Sequence, residues 1–206
     1  MLTLYHCARS RGLRPLWAIA EMGLECDLKL LPFPPREKAD GYLEVNPLGT
    51  VPMLVDGDVT MTESAGIAQY LVTRYGPTSL AVAPDEPDYG HYIDFLHHSD
   101  ATLTFPQTVF IRFCKFEKEL GLAPAGEAYA DWFVARLVKI DERLQEREYL
   151  CANRFTAADI AVGYALYLAR MIGLGERMSP RVNAYLDRLI ARDGFRKAAQ
   201  MEGTAG

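Results

Sequence analysis

Three places in the chain carry residue types at spacings that could do chemistry: Pro52, the pair Glu63-Ser64, and the run from Tyr5 to Ser10. Pro52 stands at the very start of an apolar, β-rich stretch, Met53 to Val55, although proline cannot donate to a sheet ladder. Two readings are open. A cis Val51–Pro52 bond would turn the Val51 backbone outward to bond something lying beside the strand. A trans proline would only mark a strand edge. Glu63-Ser64 opens a helical stretch, Ala65 to Tyr75. It is either an ordinary N-cap or a site where polar side chains and free N–H groups take a carboxylate. In the first run, Cys7-x-x-Ser10 precedes another helix. A thiol near a helix N-terminus can have a depressed pKa; a serine there can be a plain cap.

The elements that position these residues follow from periodicity. Leu2 to His6 is short and β-like, and Leu13, Leu16, Trp17, Ala20 and Leu24 fall at amphipathic-helix spacing, with Gly23 placed to end the helix. Cys26 to Leu31 reads as a second strand. Pro32, Pro34 and Pro35 interrupt regular structure, and a short helix is expected around Glu37 to Glu44. Asp56-Gly57-Asp58 is a hairpin signal that pairs Met53–Val55 with Val59–Met61. The order is β-α-β-α-β-β-α, a thioredoxin-like pattern.

Gly76 to Pro87 reads as a linker, and everything after it as helical. A long helix is expected over Asp88 to Glu119, kinked or broken by Pro106. A second runs from about Glu127 to Arg147 with a buried stripe of Phe133, Leu137, Ile140 and Leu144. Thr156-Ala157-Ala158-Asp159 is a capping box whose role is folding. It opens a core helix through Ile160, Tyr164 and Met171, and Val182 to Arg192 makes one more. The division is thus 1–77 thioredoxin-like, 78–87 linker and 88–206 all-helical.

Taken together, the Val51-Pro52 start of a strand, Glu63-Ser64 at the next helix and the Thr156–Asp159 box resemble the soluble glutathione transferases over nearly the whole chain. That resemblance implies an α/β thioredoxin-like domain followed by an all-α domain. It implies glutathione as co-substrate, without a metal. Val51, before a cis Pro52, would pair by backbone with the cysteinyl part of glutathione, and Glu63 and Ser64 would hold its γ-glutamyl end. Ser10, four residues before Arg14, resembles the serine of the serine-type (theta-like and many bacterial) enzymes, whose hydroxyl donates to the sulfur. Cys7 resembles the cysteine of the omega-type enzymes, though Ala8 stands where proline is usual. Tyr5 is a third candidate, by likeness to the tyrosine-type classes.

Thr50 offers only a hydroxyl where many members carry lysine or arginine, so the glycine carboxylate must find its cation elsewhere, at Arg36, Lys38 or Arg9. Asp100 is spaced like an aspartate that reaches across a homodimer to the glutathione amine. The electrophile pocket would draw on His97, Thr102, Phe105 and Tyr167. The expected function is conjugation of glutathione to a small apolar electrophile, as in detoxification. The alternatives are a glutathione-dependent thiol transferase or reductase acting through Cys7, and a non-catalytic binding protein of the same fold.

Composition agrees with this expectation. A chain of 206 residues, 50% hydrophobic, can bury a sizeable core. A net charge of −5 argues against nucleic-acid binding and against an anionic membrane surface. No apolar run approaches the roughly 20 residues that span a bilayer, there is no basic-then-apolar leader pattern, and four scattered cysteines suit a reduced, cytoplasmic protein. His97 and His98 do not make a metal pair, because adjacent helix positions do not face one site.

Overall fold

The computed structural model describes residues Met1–Thr204 as two compact units. The first holds Met1–Ala81 together with the chain from Ala191 onward; the second is Val82–Ile190.

In the first unit, β1 (Leu2–His6) alternates buried Leu2, Leu4 and His6 with half-buried Thr3 and Tyr5, so it lies at the centre of a sheet. β2 (Asp27–Leu30) pairs with it in parallel, Leu4 opposite Leu28. β3 (Met53–Asp56) pairs antiparallel on the other side, Leu4 opposite Leu54, and β4 (Val59–Met61) closes the hairpin. The strand order is β2-β1-β3-β4. The crossover from β1 to β2 is α1 (Leu13–Met22), whose Leu13 to Ile19 are all buried and which ends at Gly23 in the left-handed conformation, φ +65°.

The expected single helix near 37–44 is two single turns, α2 (Pro35–Lys38) and α3 (Tyr42–Val45). Gly41 separates them at φ +73°, a conformation that a helix interior does not accommodate. α4 (Ser64–Arg74) completes the thioredoxin-like order.

The second unit is helical. α5 (Tyr89–His97) and α6 (Phe105–Ile111) form one run joined by a π-helical stretch, His98–Thr104, with another after it at Arg112–Phe116. The irregularity expected at Pro106 therefore falls just before it. Proline has no N–H to offer the preceding turn, and there the Thr104 hydroxyl donates to the Ser99 carbonyl (2.7 Å) while Gln107 Nε2 donates to those of Leu103 and Ala165. The helix expected over 127–147 begins earlier and divides at Leu137 into α7 (Ala123–Arg136) and α8 (Val138–Arg143). Its stripe of Phe133, Leu137, Ile140 and Leu144 is buried. α9 (Ala157–Met171) starts at the Thr156–Asp159 capping box, and α10 is Pro180–Ile190.

Two boundaries differ from the expected 1–77, 78–87, 88–206 division. The second half of the proline-rich stretch belongs to the helical unit, because Glu86 is held there by both guanidinium nitrogens of Arg154 (2.7 and 2.8 Å). The C-terminal segment belongs to the first unit. It forms a further helix, α11 (Asp193–Met201), whose Phe195 packs edge-on against Trp17 of α1 and whose preceding Arg192 clasps Glu21 with two hydrogen bonds. Among the described residues no helix is long and apolar enough to cross a membrane.

Candidate active site

The turn between β1 and α1 carries the densest chemistry. Ser10 is half-buried; its backbone N–H donates to the Cys7 carbonyl (3.1 Å), and its Oγ accepts the N–H of Gly12 (3.2 Å) and lies 3.3 Å from His6 Nδ1. The turn closes through Arg9, held at φ +62°, whose N–H donates to Glu202. Left-handed backbone at a non-glycine residue persists only where its surroundings enforce it. Cys7 has a different environment. It is fully buried, its thiol faces the Pro32 carbonyl at 3.5 Å, and burial pushes its pKa up to about 11. A redox nucleophile needs the opposite shift; here burial disfavours the thiolate instead. The Tyr5 ring packs against Tyr42 at 5.8 Å, as a packing residue does.

Sequence spacing does not reveal two members of this turn. His6 is fully buried, and its Nε2 donates to Glu202 Oε2 at 2.7 Å. Glu202 follows α11, so this contact joins the two ends of the chain. Burial pushes the Glu202 carboxyl up, but hydrogen bonds from His6, Thr204 and Arg9 outweigh it and hold it below the ordinary glutamate value. The one available signal was a histidine at an inward position of a strand, beside the loop that carries Ser10.

β3 begins next to the end of β1, with Met53 opposite Tyr5, and the Val51–Pro52 bond that leads into it is cis. The Thr50 carbonyl is fixed by Tyr42 Oη (2.7 Å) and Asn46 Nδ2 (2.8 Å), while its side chain is exposed. Among the described residues no hydrogen bond engages the Val51 backbone. At the start of α4, Glu63 is exposed in an extended conformation and makes no cap hydrogen bond with its carboxylate. Ser64 is buried, and its Oγ accepts from Arg14 Nη1 at 2.8 Å. Arg14, itself fully buried on α1, thus ties the helix that follows Ser10 to the helix that follows Glu63. Of the proposed cations for a second carboxylate, Arg36 and Lys38 are exposed on α2, and Arg36 lies 3.6 Å from Glu37.

In the helical unit, His97 ends α5, Asp100 and Thr102 lie in the π-helical stretch, and Phe105 starts α6. Phe105 is 53% exposed and meets Tyr129 edge-on at 6.2 Å; Tyr129 in turn stacks on Trp132. These two α7 aromatics were not anticipated. Tyr167 is half-buried on α9. A cleft lined by Arg170, Glu176, Asn183 and Asp187 contains none of the four expected pocket residues. Among the described residues no group of three or more His, Cys, Asp or Glu could hold a metal ion.

A four-stranded thioredoxin-like unit carries both the cis-proline entry to β3 and the polar start of α4, and a separate unit is helical. Residues 9–74 match the family model described as "Glutathione S-transferase, N-terminal domain", and residues 116–188 the one described as "Glutathione S-transferase, C-terminal domain". Together they span more than half of the chain, which belongs to the glutathione S-transferase family of enzymes. Glutathione S-transferase 3 of Schizosaccharomyces pombe is 25% identical over 213 residues, covering 97% of this chain and 87% of the relative. Glutathione S-transferase 4 of Zea mays is 29% identical over 201 residues, covering 91% and 86%. Among solved structures, the ternary complex of BphK, a bacterial GST, has a TM-score of 0.83 at 26% identity and covers 98% of this chain and 99% of its own.

Proposed function

We propose that this protein is a serine-type, theta-like glutathione transferase that joins the glutathione sulfur to small apolar electrophiles. The observation that carries the choice of serine is the contrast within one turn: Ser10 is reachable and partnered through its hydroxyl, whereas the Cys7 thiol is buried and pushed up to about 11. In this reading the Ser10 hydroxyl donates to the sulfur. Val51 pairs with the cysteinyl backbone, with Thr50 and Pro52 shaping that edge. Glu63, whose carboxylate is not spent on its own helix, binds the γ-glutamyl amine, and Ser64 with the α4 N-terminus binds the carboxylate. His97, Thr102, Phe105 and Tyr167 face the electrophile. A homodimer supplies Asp100 to the glutathione of its partner, and the setting is the cytoplasm.

Retention on immobilised glutathione, together with turnover of a chloro-nitro-aromatic substrate, tests the activity; a protein that does neither leaves the transferase reading without support. Intact-protein mass spectrometry after exposure to oxidised glutathione tests the residue, since a stoichiometric adduct on Cys7 would indicate thiol transfer instead.

The glutathione placement has its own consequence. Glu63→Gln removes one charge-assisted hydrogen bond, worth about 1.5–3 kcal/mol of binding, so the glutathione requirement should rise by roughly one to two decades. Thermal unfolding should be unchanged, because the side chain is exposed and caps nothing. An unaltered glutathione affinity would remove Glu63 from the site.

A further inference from the structure

Behind Ser10 stand two buried groups that hydrogen bonding to sulfur does not by itself require. Ser10 Oγ lies 3.3 Å from His6 Nδ1, and His6 Nε2 lies 2.7 Å from the Glu202 carboxylate. The His6 and Glu202 side chains are 0% and 1% exposed. An anionic carboxylate only accepts, so His6 carries its hydrogen on Nε2 and, when neutral, presents a bare Nδ1 to the serine. The ring is held in that orientation: a Cβ on Gly12 would lie 2.2 Å from Nδ1, so only glycine lets the α1 backbone come this close. The same Gly12 gives its N–H to Ser10 Oγ, leaving the hydroxyl hydrogen to choose between Nδ1 and a ligand. The arrangement is serine, histidine and glutamate in series, the geometry by which a hydroxyl is coupled to a base and the base to an orienting acid.

We infer that His6, backed by Glu202, is the acceptor of the glutathione thiol proton, which reaches it through the Ser10 hydroxyl. The inference rests on the placement of the sulfur at Ser10. The S–H bond of glutathione breaks and its proton bonds to Ser10 Oγ. The former Oγ–H proton bonds to His6 Nδ1. The S–H electron pair stays on sulfur, the Nδ1 lone pair becomes the new N–H bond, and Ser10 ends neutral with its hydrogen directed at the thiolate. No other reactant is consumed. Once His6 carries the second proton, its 2.7 Å contact with the Glu202 carboxylate is a buried, hydrogen-bonded ion pair. Thr204 and the Arg9 N–H satisfy the remaining carboxylate positions in both states. His6 and Glu202 do not touch the substrate; they position the serine hydrogen and store the proton.

The relay makes a prediction that a purely structural His6–Glu202 contact does not: thiolate forms without a proton leaving for solvent. The whole wild-type protein is titrated with glutathione at neutral pH in buffers of differing ionisation enthalpy, which counts protons released per site. Ultraviolet difference absorbance counts thiolate in the same complex. S-methylglutathione, which has no thiol proton, supplies the background to subtract. Wild type should release close to no protons per thiolate formed. Glu202→Gln keeps an acceptor for His6 Nε2 but removes the charge, so it should form less thiolate and release about one proton for each. A wild-type ratio of about one overturns the relay and leaves the serine placement standing, as does a Glu202→Gln protein with unchanged thiolate and unchanged ratio. Absence of thiolate in the wild-type complex, or thiolate that survives in Ser10→Ala, overturns both. The wild-type measurement decides the proposal by itself even if the buried variant fails to fold.

Discussion

Ser10→Ala should lower conjugation at neutral pH by on the order of 10- to 1000-fold, the range for deleting one hydrogen bond to a charged or developing-charge group. The loss has a defined pH signature. Without the hydroxyl, the bound thiol loses the group that stabilises its ionised form, and its pKa rises towards the free value near 8.5. The thiolate fraction therefore falls at neutral pH and returns as the pH passes that value, so part of the lost rate should be recovered in alkaline buffer. Cys7→Ala should leave the rate close to wild type, since a buried thiol with its pKa raised to about 11 supplies no anion at working pH. The comparison is read from kcat/KM for a chloro-nitro-aromatic substrate across pH, with glutathione saturating. A pH-independent deficit in Ser10→Ala would mean that the serine shapes the loop rather than ionises the thiol. A dead Cys7→Ala with a normal fold would transfer the chemistry to cysteine.

What the sequence made legible here was local. Apolar period identified β1, α1 and the stripe through Phe133, Leu137, Ile140 and Leu144, because each depends on one face meeting a core. The Pro52 anomaly and the Glu63-Ser64 helix start were visible because proline chemistry and capping act over one or two residues. The pairs across the fold were not visible in this way. Arg14 stands four residues after Ser10 in the sequence, yet its guanidinium reaches Ser64, fifty residues away. His6 and Glu202 sit at opposite ends of the chain, and no periodicity relates them. α11 is a milder omission. Phe195, Ala198 and Ala199 have helical spacing and are buried, but the segment is short, polar and close to the terminus, so its apolar face is explained only by Trp17 in the partner helix. The broken helices have a similar cause: Gly41 and the wide turn before Pro106 are backbone solutions set by packing, and proline or glycine marks where they fall but not their form.

The capping box of the helical unit was readable as a folding device, and its full connectivity makes it the site of the largest expected stability effect. Asp159 is buried and accepts four hydrogen bonds: the Thr156 N–H at 2.8 Å, the Thr156 hydroxyl at 3.0 Å, the Leu150 N–H at 3.0 Å and Tyr185 Oη at 2.7 Å. One carboxylate thereby fixes the start of α9, the segment before it and a side chain of α10. Burial raises the Asp159 pKa, and the four donors oppose that shift. Asp159→Ala leaves the buried Leu150 N–H, Thr156 N–H and Tyr185 hydroxyl without their acceptor, each worth about 1–3 kcal/mol when orphaned, so a net loss of about 4 kcal/mol is expected. For a chain of this size that lowers the melting temperature by roughly 10 °C. Thr156→Ala removes the cap hydroxyl alone and should cost about 1 kcal/mol. Calorimetric unfolding of the two variants measures the difference. Glutathione affinity, read well below the transition, should match wild type in both, because neither residue is placed in the glutathione site. An Asp159→Ala protein within about 1 kcal/mol of wild type would mean that water or a rearranged loop replaces the carboxylate, and that the box is not what holds the unit together.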